Sequence, residues 1–212
     1  MRIGALQKQS FIDWQGKIVA VIFTKGCNFR CGYCHNPSLV LPKLINQTPD
    51  ISEEEILSYL KRRKGWLDGV VITGGEPTIH TDLGHLLREI KQIGYAIKLD
   101  SNGTNPQALQ ALIDKKLIDF IAMDIKTIVE IKNYAEITNC KEPALIEKIE
   151  RSIQIIKASG IQYQFRTTVI PLFHSKEIVA HLEKRFKDDN YAIQQFRQGD
   201  IIDCYNLREK TY

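Results

Sequence analysis

Apolar positions along this 212-residue chain fall into two alternating kinds of run. Short, β-branched runs at 17–23, 69–73, 95–99, 118–123, 163–169 and 191–196 predict strands. In the fifth, Tyr163, Phe165, Thr167 and Val169 alternate with more polar neighbours, as on a pleated surface. Between the strands the spacing changes to the helical three and four. Ile56, Leu57 and Leu60 follow the capping box Ser52-Glu53-Glu54-Glu55. Leu83, Leu86, Leu87 and Ile90 form a second stripe, with Thr81 as its cap and Gly94 as its stop. Leu109, Leu112 and Ile113 follow Pro106, a favourable first-turn residue. Leu145, Ile146, Ile149, Ile153 and Ile156 mark a helix stopped by Gly160, and Ser175 caps one carrying Ile178, Val179 and Leu182. Residues 38–50, with Pro42 and Pro49, and residues 127–142 read as loops.

Strand and helix alternate six times. A closed eight-unit barrel takes about 250 residues, more than this chain has. The expected class is therefore α/β: an open partial (β/α)6 barrel with parallel strands. It is read as one domain over 1–212, with its core at 17–196 and a tail at 197–212. Right-handed crossovers would bring every strand's carboxyl end to one rim, where such folds bind ligands.

The polar motifs fall on that rim. After the first strand comes Cys27-Asn28-Phe29-Arg30-Cys31-Gly32-Tyr33-Cys34-His35-Asn36-Pro37, a CxxxCxxC string holding three of the five cysteines. Gly26 and Gly32 let the backbone turn tightly there. Three thiolates can hold three irons of a cubane and leave the fourth open to a ligand. A structural zinc on Cys27, Cys31, Cys34 and His35 is the alternative, although adjacent residues such as Cys34 and His35 converge poorly on one small ion. Gly74-Gly75-Glu76 follows the second strand, Asp100-Ser101-Asn102-Gly103 the third and Asp124-Ile125-Lys126 the fourth. Each is also compatible with an ordinary turn, cap or surface ion pair. Arg166 lies inside the fifth strand, pointing either to an acid of the rim or to solvent, and Gln195 on the sixth is a candidate of the same kind. Cys140 and Cys204 match no ligand spacing and read as ordinary thiols.

Composition narrows the class without naming the chemistry. The chain is 43% hydrophobic and 25% charged, with a net charge of +4. No apolar run approaches the ~20 residues that span a bilayer. The only dense basic run, Lys61-Arg62-Arg63-Lys64, suits the end of a helix, so neither a membrane nor a nucleic acid is expected as partner. Free cysteines without a targeting segment suggest a reducing cytoplasm.

The cysteine string, with an aromatic residue before its third cysteine and the three later motifs, resembles the radical S-adenosylmethionine superfamily. The longer stretch through His35-Asn36-Pro37, and Ser10 to Lys17 ahead of the first strand, are similar to the glycyl-radical enzyme activases, most of all to anaerobic ribonucleoside-triphosphate reductase activating proteins. The likeness covers about residues 1–171. It implies a 4Fe–4S cluster on Cys27, Cys31 and Cys34 that cleaves S-adenosylmethionine to a 5′-deoxyadenosyl radical, which takes hydrogen from a glycine of a partner enzyme. It places Tyr33, His35, Gly74, Gly75, Glu76, Asp100, Ser101, Asn102, Asp124 and Lys126 at the cofactor. Apart from the likeness, Arg166 and Gln195 are candidates for further contacts, and Tyr33 and Val169 are candidates to flank the adenine, with ordinary packing as the alternative for each. Ser101 stands where the family has threonine and keeps the hydroxyl. The resemblance also implies a flavodoxin or ferredoxin as electron donor and, as in some activases, a monovalent cation beside the methionine carboxylate held by Asp100 and Asp124. Two alternatives stay open: a superfamily enzyme acting on a small molecule, as 7-carboxy-7-deazaguanine synthases do, and a zinc-stabilised binding module.

Overall fold

The computed structural model describes residues 1–203; Cys204 lies outside them. One seven-stranded sheet runs in chain order. Its strands are β1 (Ile3–Ser10), β2 (Val19–Thr24), β3 (Gly69–Gly74), β4 (Ala96–Ser101), β5 (Phe120–Asp124), β6 (Gln162–Val169) and β7 (Tyr191–Gln195). Strands β2 to β7 are parallel, as expected, and β1 is added antiparallel at the β2 edge. The first and last strands do not pair, so the barrel stays open. The sequence reading missed β1 because its burial alternates poorly and its middle is exposed, as befits an edge.

Helices α3 (Glu53–Arg62), α4 (Leu83–Ile93), α5 (Pro106–Asp114), α7 (Leu145–Ala158) and α8 (Lys176–Arg185) occupy the expected connections. Two expected loops are partly helical. Residues 38–50 contain the single turns α1 (Pro37–Val40) and α2 (Pro42–Ile45), each opened by a proline, and 127–142 contains α6 (Ile131–Thr138). Thr81 does not cap α4; Asp82 occupies that position without a side-chain bond, while Ser52, Asn105 and Ser175 do accept capping bonds.

The sheet buries both faces unequally. Ile22, Ile72, Leu99, Ile121 and Phe165 lie under the helices with Leu86, Leu87, Ile90, Leu109 and Ile149, all fully buried. Each such side chain contributes ~1.5–3 kcal/mol relative to exposure. The concave face holds a smaller cluster of Trp14, Val19, Val21 and Val71, with Trp14 tilted against Phe120 at 5.9 Å. Lys98 rises from β4 on this face and donates to the Asp13 carbonyl, fastening residues 11–17 across the barrel floor. Above this small inner core the interior is polar, and the strand ends β2 to β6 surround it.

Candidate active site

A cavity of about 230 Å³ opens at the carboxyl ends of the strands. Cys27, Cys31, Tyr33, Cys34, His35, Gly74, Gly75, Glu76, Asp100, Ser101, Asn102, Asp124, Lys126 and Arg166 all line it, so four separate motifs of the sequence meet in one place. Two sequence candidates stand elsewhere. Gln195 is exposed and lines a wider outer cavity beside this one. Val169 does not line the cavity: strand alternation puts Arg166 and Thr168 on the concave face, and Thr168 is the lining residue.

The cysteine loop is held from three sides. Gly26 N–H donates to the Leu39 carbonyl at 2.7 Å, and its carbonyl accepts from Glu76 N–H at 2.8 Å. A Cβ on Gly75 would sit 1.8 Å from that same carbonyl, so the glycine is required for this approach. Arg30 folds back to donate to the Cys27 and Phe29 carbonyls. Residues 202 and 203, after β7, donate backbone N–H groups to the Cys34 and Gly32 carbonyls. Beside them the His35 ring rests on Phe196 and bonds the Arg197 carbonyl.

The donor set fits a cubane. Backbone N–H groups of Phe29 and Asn36 approach the Cys27 and Cys34 sulfurs at 3.4 and 3.5 Å, the kind of bond that tunes a cluster's potential. Burial pushes the Cys27 thiol up to about 12 and Cys31 up to about 11, and raises Cys34 as well. These thiols hold their protons until metal displaces them. Among the described residues no three His, Cys, Asp or Glu side chains converge on one metal ion. A cubane would spread the three sulfurs over three irons. His35, turned to Phe196 and Arg197, is not drawn toward the sulfurs as a zinc ligand would be.

Glu76 does structural work that its motif does not announce. Fully buried, it accepts from Thr78 N–H and hydroxyl and from Ser101 Oγ (2.9 Å) on one oxygen, and from Asn102 N–H (2.6 Å) on the other. Burial raises its pKa, against the pull of these donors. Asn102 passes the link on: its amide donates to Asn28, whose own amide donates to Thr104. The glycine turn, the β4 turn and the cysteine loop are thereby one hydrogen-bonded unit. Thr78, Asn28 and Thr104 were not singled out from the sequence, although all lie next to motif residues.

The far wall is a line of alternating charges. Lys98 lies 3.4 Å from Asp100 Oδ1; Arg166 reaches Asp100 Oδ2 at 3.0 Å and Asp124 Oδ1 at 2.5 Å; Lys126 reaches Asp124 Oδ2 at 2.8 Å. Burial opposes ionisation of Asp124, but Arg166 and Lys126 outweigh it and hold the carboxyl far below its ordinary value. Burial likewise acts against the charge on Lys126 and Arg166, yet their acid partners raise both. The question of where Arg166 points is settled inward. Asp100 Oδ1 is the exception in this line: it is buried without a hydrogen-bond partner, since the Lys98 ammonium 3.4 Å away is bonded to the Asp13 carbonyl.

Lys126 is aimed from both ends. Its N–H donates to the Tyr134 hydroxyl at 3.1 Å. Its carbonyl lies 2.8 Å from His174 Nε2. His174 Nδ1 accepts from Ile170 N–H, so the proton sits on Nε2, which donates to Lys126. Tyr134 belongs to α6, the helix that sequence patterning left out.

The sequence pattern of the radical SAM superfamily matches residues 21–184. A protein of Methanocaldococcus jannaschii named as a glycyl-radical enzyme activating enzyme is 36% identical over 198 residues, 92% of this chain and 79% of its own. A pyruvate formate-lyase-activating enzyme of Clostridium pasteurianum is 27% identical over 217 residues, covering this chain entirely and 85% of that one. Among solved structures, Streptococcus suis SuiB superposes with a TM-score of 0.65 at 16% identity, over 91% of this chain and 44% of that one. The enzyme anSMEcpe with bound AdoMet gives 0.60 at 21% identity, over 82% and 50%. The chain thus spans about half of those two larger proteins, and they share its fold. No helix among the described residues is long and apolar enough to cross a membrane. The chain belongs to the radical SAM superfamily, among its glycyl-radical enzyme activating enzymes.

Proposed function

We propose that this enzyme cleaves S-adenosylmethionine reductively and activates a glycyl-radical enzyme, an anaerobic ribonucleotide reductase. The observation that carries the reading is the meeting of three cysteines, the glycine turn, the β4 turn and the Asp124–Lys126 pair around one cavity. Cys27, Cys31 and Cys34 would hold a 4Fe–4S cluster, leaving one iron open. When bound, cluster and nucleotide supply a one-electron cleavage to methionine and a 5′-deoxyadenosyl radical that takes hydrogen from a glycine.

The chain's part is positioning. Gly74 and Gly75 line the cavity, and backbone there would receive the methionine ammonium. Lys126 would face the methionine carboxylate, and Ser101 and Asn102 the ribose. Tyr33, its ring 5.9 Å from Lys126 Nζ, would pack against the nucleotide. No general acid or base is required.

Access leaves room for a segment of a partner chain. Beside the site lies an outer cavity of about 1060 Å³, on the open side of the barrel and sharing His35, Arg166 and Thr168 with the inner one. A segment of a partner chain could enter there with its glycine leading. A flavodoxin or ferredoxin would supply the electron, in a cytoplasmic setting. The test is to mix the reconstituted, reduced protein with S-adenosylmethionine and a candidate anaerobic reductase and record EPR. A glycyl-radical doublet is expected. Nucleotide cleavage without a doublet from any glycyl-radical enzyme tried would move the assignment to a small-molecule substrate.

A further inference from the structure

Beyond β7 the chain stays on the barrel. Phe196 N–H donates to the Val169 carbonyl of β6 at 3.3 Å, and the chain then crosses to the loop that follows β2. The Arg197 carbonyl accepts from His35 Nε2 at 2.7 Å, and the Phe196 ring packs on the imidazole at 5.3 Å. Gly199 passes the same imidazole: a Cβ there would lie 3.5 Å from His35 Cδ2. Ile202 N–H donates to the Cys34 carbonyl at 3.2 Å and Asp203 N–H to the Gly32 carbonyl at 3.0 Å. The first and last strands do not pair, so residues 196–203 run as a strap across the open side of the barrel, along the rim that carries the site.

The strap grips a stretch of the cysteine loop different from the one the barrel grips. Bonds from the barrel reach Gly26, Asn28 and, through the Thr138 carbonyl of α6 at 2.8 Å, the Arg30 N–H; a further bond joins the Asn36 amide to the Gly74 carbonyl. Bonds from the strap reach Gly32, Cys34 and His35, the stretch that carries the third sulfur. Gly32 leaves room for this approach, since a Cβ on it would lie 2.0 Å from the Asp203 carboxylate. Ile202 is 1% exposed, and burying its side chain adds an apolar anchor to the two backbone bonds.

We infer that residues 196–203 are a positioning strap for the third cluster ligand: they fasten Gly32, Cys34 and His35 across the open side of the barrel and so hold the Cys34 sulfur where iron is received. The inference rests on the proposed cluster for its chemistry and on the apo geometry for the strap itself. Phe196 and Ile202 are positioning residues, since neither lines the inner cavity. His35 and Arg197 also line the outer cavity, so the strap borders the opening by which a partner segment would enter. A segment fastened at so few points opens locally, without unfolding the sheet.

Two measurements on Phe196→Ala, Ile202→Asp and Ile202→Val test it. In the metal-free protein, alkylation of each cysteine by iodoacetamide is followed by mass spectrometry. Cys34 should react about tenfold faster in Ile202→Asp and several-fold faster in Phe196→Ala, while Ile202→Val matches the native chain and Cys140 reacts at its native rate throughout. In the anaerobically reconstituted protein, release of iron to a ferrous chelator should speed up about tenfold in Ile202→Asp and stay native in Ile202→Val. Cys34 alkylation at the native rate in both disruptive variants overturns the inference. So does iron release at the native rate from Ile202→Asp, or a rise at Cys140 equal to that at Cys34, which would mark general loosening of the fold. Faster Cys34 alkylation in the variants of a chain that takes up no iron in any form supports the strap and counts against the proposed function alone.

Discussion

Arg166 and Asp124 face each other across paired strands, guanidinium Nε to carboxylate Oδ1 at 2.5 Å. This contact joins the fifth and sixth strands of the sheet at the point where the site begins. Asp124 also carries Lys126, so its removal strips one partner from each of two half-buried cations.

Asp124→Asn is expected to destabilise the fold by about 2 kcal/mol, below the usual cost of breaking a fully buried pair because 29% of the Asp124 side chain is exposed. The pH dependence follows from the depressed carboxyl. A group whose folded pKa lies below its unfolded one contributes its stability above the unfolded value and loses it as pH falls through the folded value. The difference between native and variant melts should therefore be constant across neutral pH and begin to shrink only below about pH 4. A difference that shrank already at pH 6 would contradict the assignment.

Lys25 offers a second electrostatic test, away from the cavity. It is 1% exposed, and its ammonium donates to the Thr48 and Pro49 carbonyls and to Asp50. Immediately before Gly26 and Cys27, it ties the cysteine loop to residues 48–50. Its bond to Asp50 lowers that carboxyl. Asp50 is about half exposed, with 48% of its side chain accessible, so solvent screening limits the effect. Asp50→Asn should cost ~1 kcal/mol near neutral pH. That loss should fade below about pH 4, where the native carboxyl begins to protonate.

The grip on Lys126 should show in binding more than in turnover. His174→Ala removes the donor to the Lys126 carbonyl, a change of ~1–2 kcal/mol for a buried hydrogen bond. The apparent KM for S-adenosylmethionine should rise roughly tenfold with little change in kcat, and iron content should stay native. Equal loss of iron and activity would show that His174 merely supports the fold.

Cysteine replacements separate ligands from bystanders. Cys31→Ser should lower bound iron severely, while Cys140→Ser should leave it at about four irons per chain. Iron analysis after anaerobic reconstitution decides. Unchanged iron in the first variant would remove Cys31 from the ligand set.

The site was largely legible because its chemistry clusters at strand ends, and β-branched runs locate strand ends well. The run at 118–123, for instance, became Phe120–Asp124, so Asp124 fell on the rim as expected. What stayed hidden lacked a periodic or capping signal. Helix α6 begins at Glu130 without a side-chain cap and ends at Asn139 with φ of 52°, a left-handed turn often signalled by glycine. Its Tyr134 and the distant His174 reach Lys126 through tertiary packing alone. Gln195 lines the outer cavity, and Val169 lines neither of the two. The face that reaches the site is that of Arg166 and Thr168.

The central claim is that three sulfurs leave an iron free to engage a sulfonium nucleotide. Its most direct measurement is 5′-deoxyadenosine release by the anaerobically reconstituted, dithionite-reduced protein supplied with S-adenosylmethionine. Steady release from native protein and none from Cys31→Ala is the expected result. A fully loaded native cluster that releases no 5′-deoxyadenosine, or undiminished release by Cys31→Ala, would contradict it.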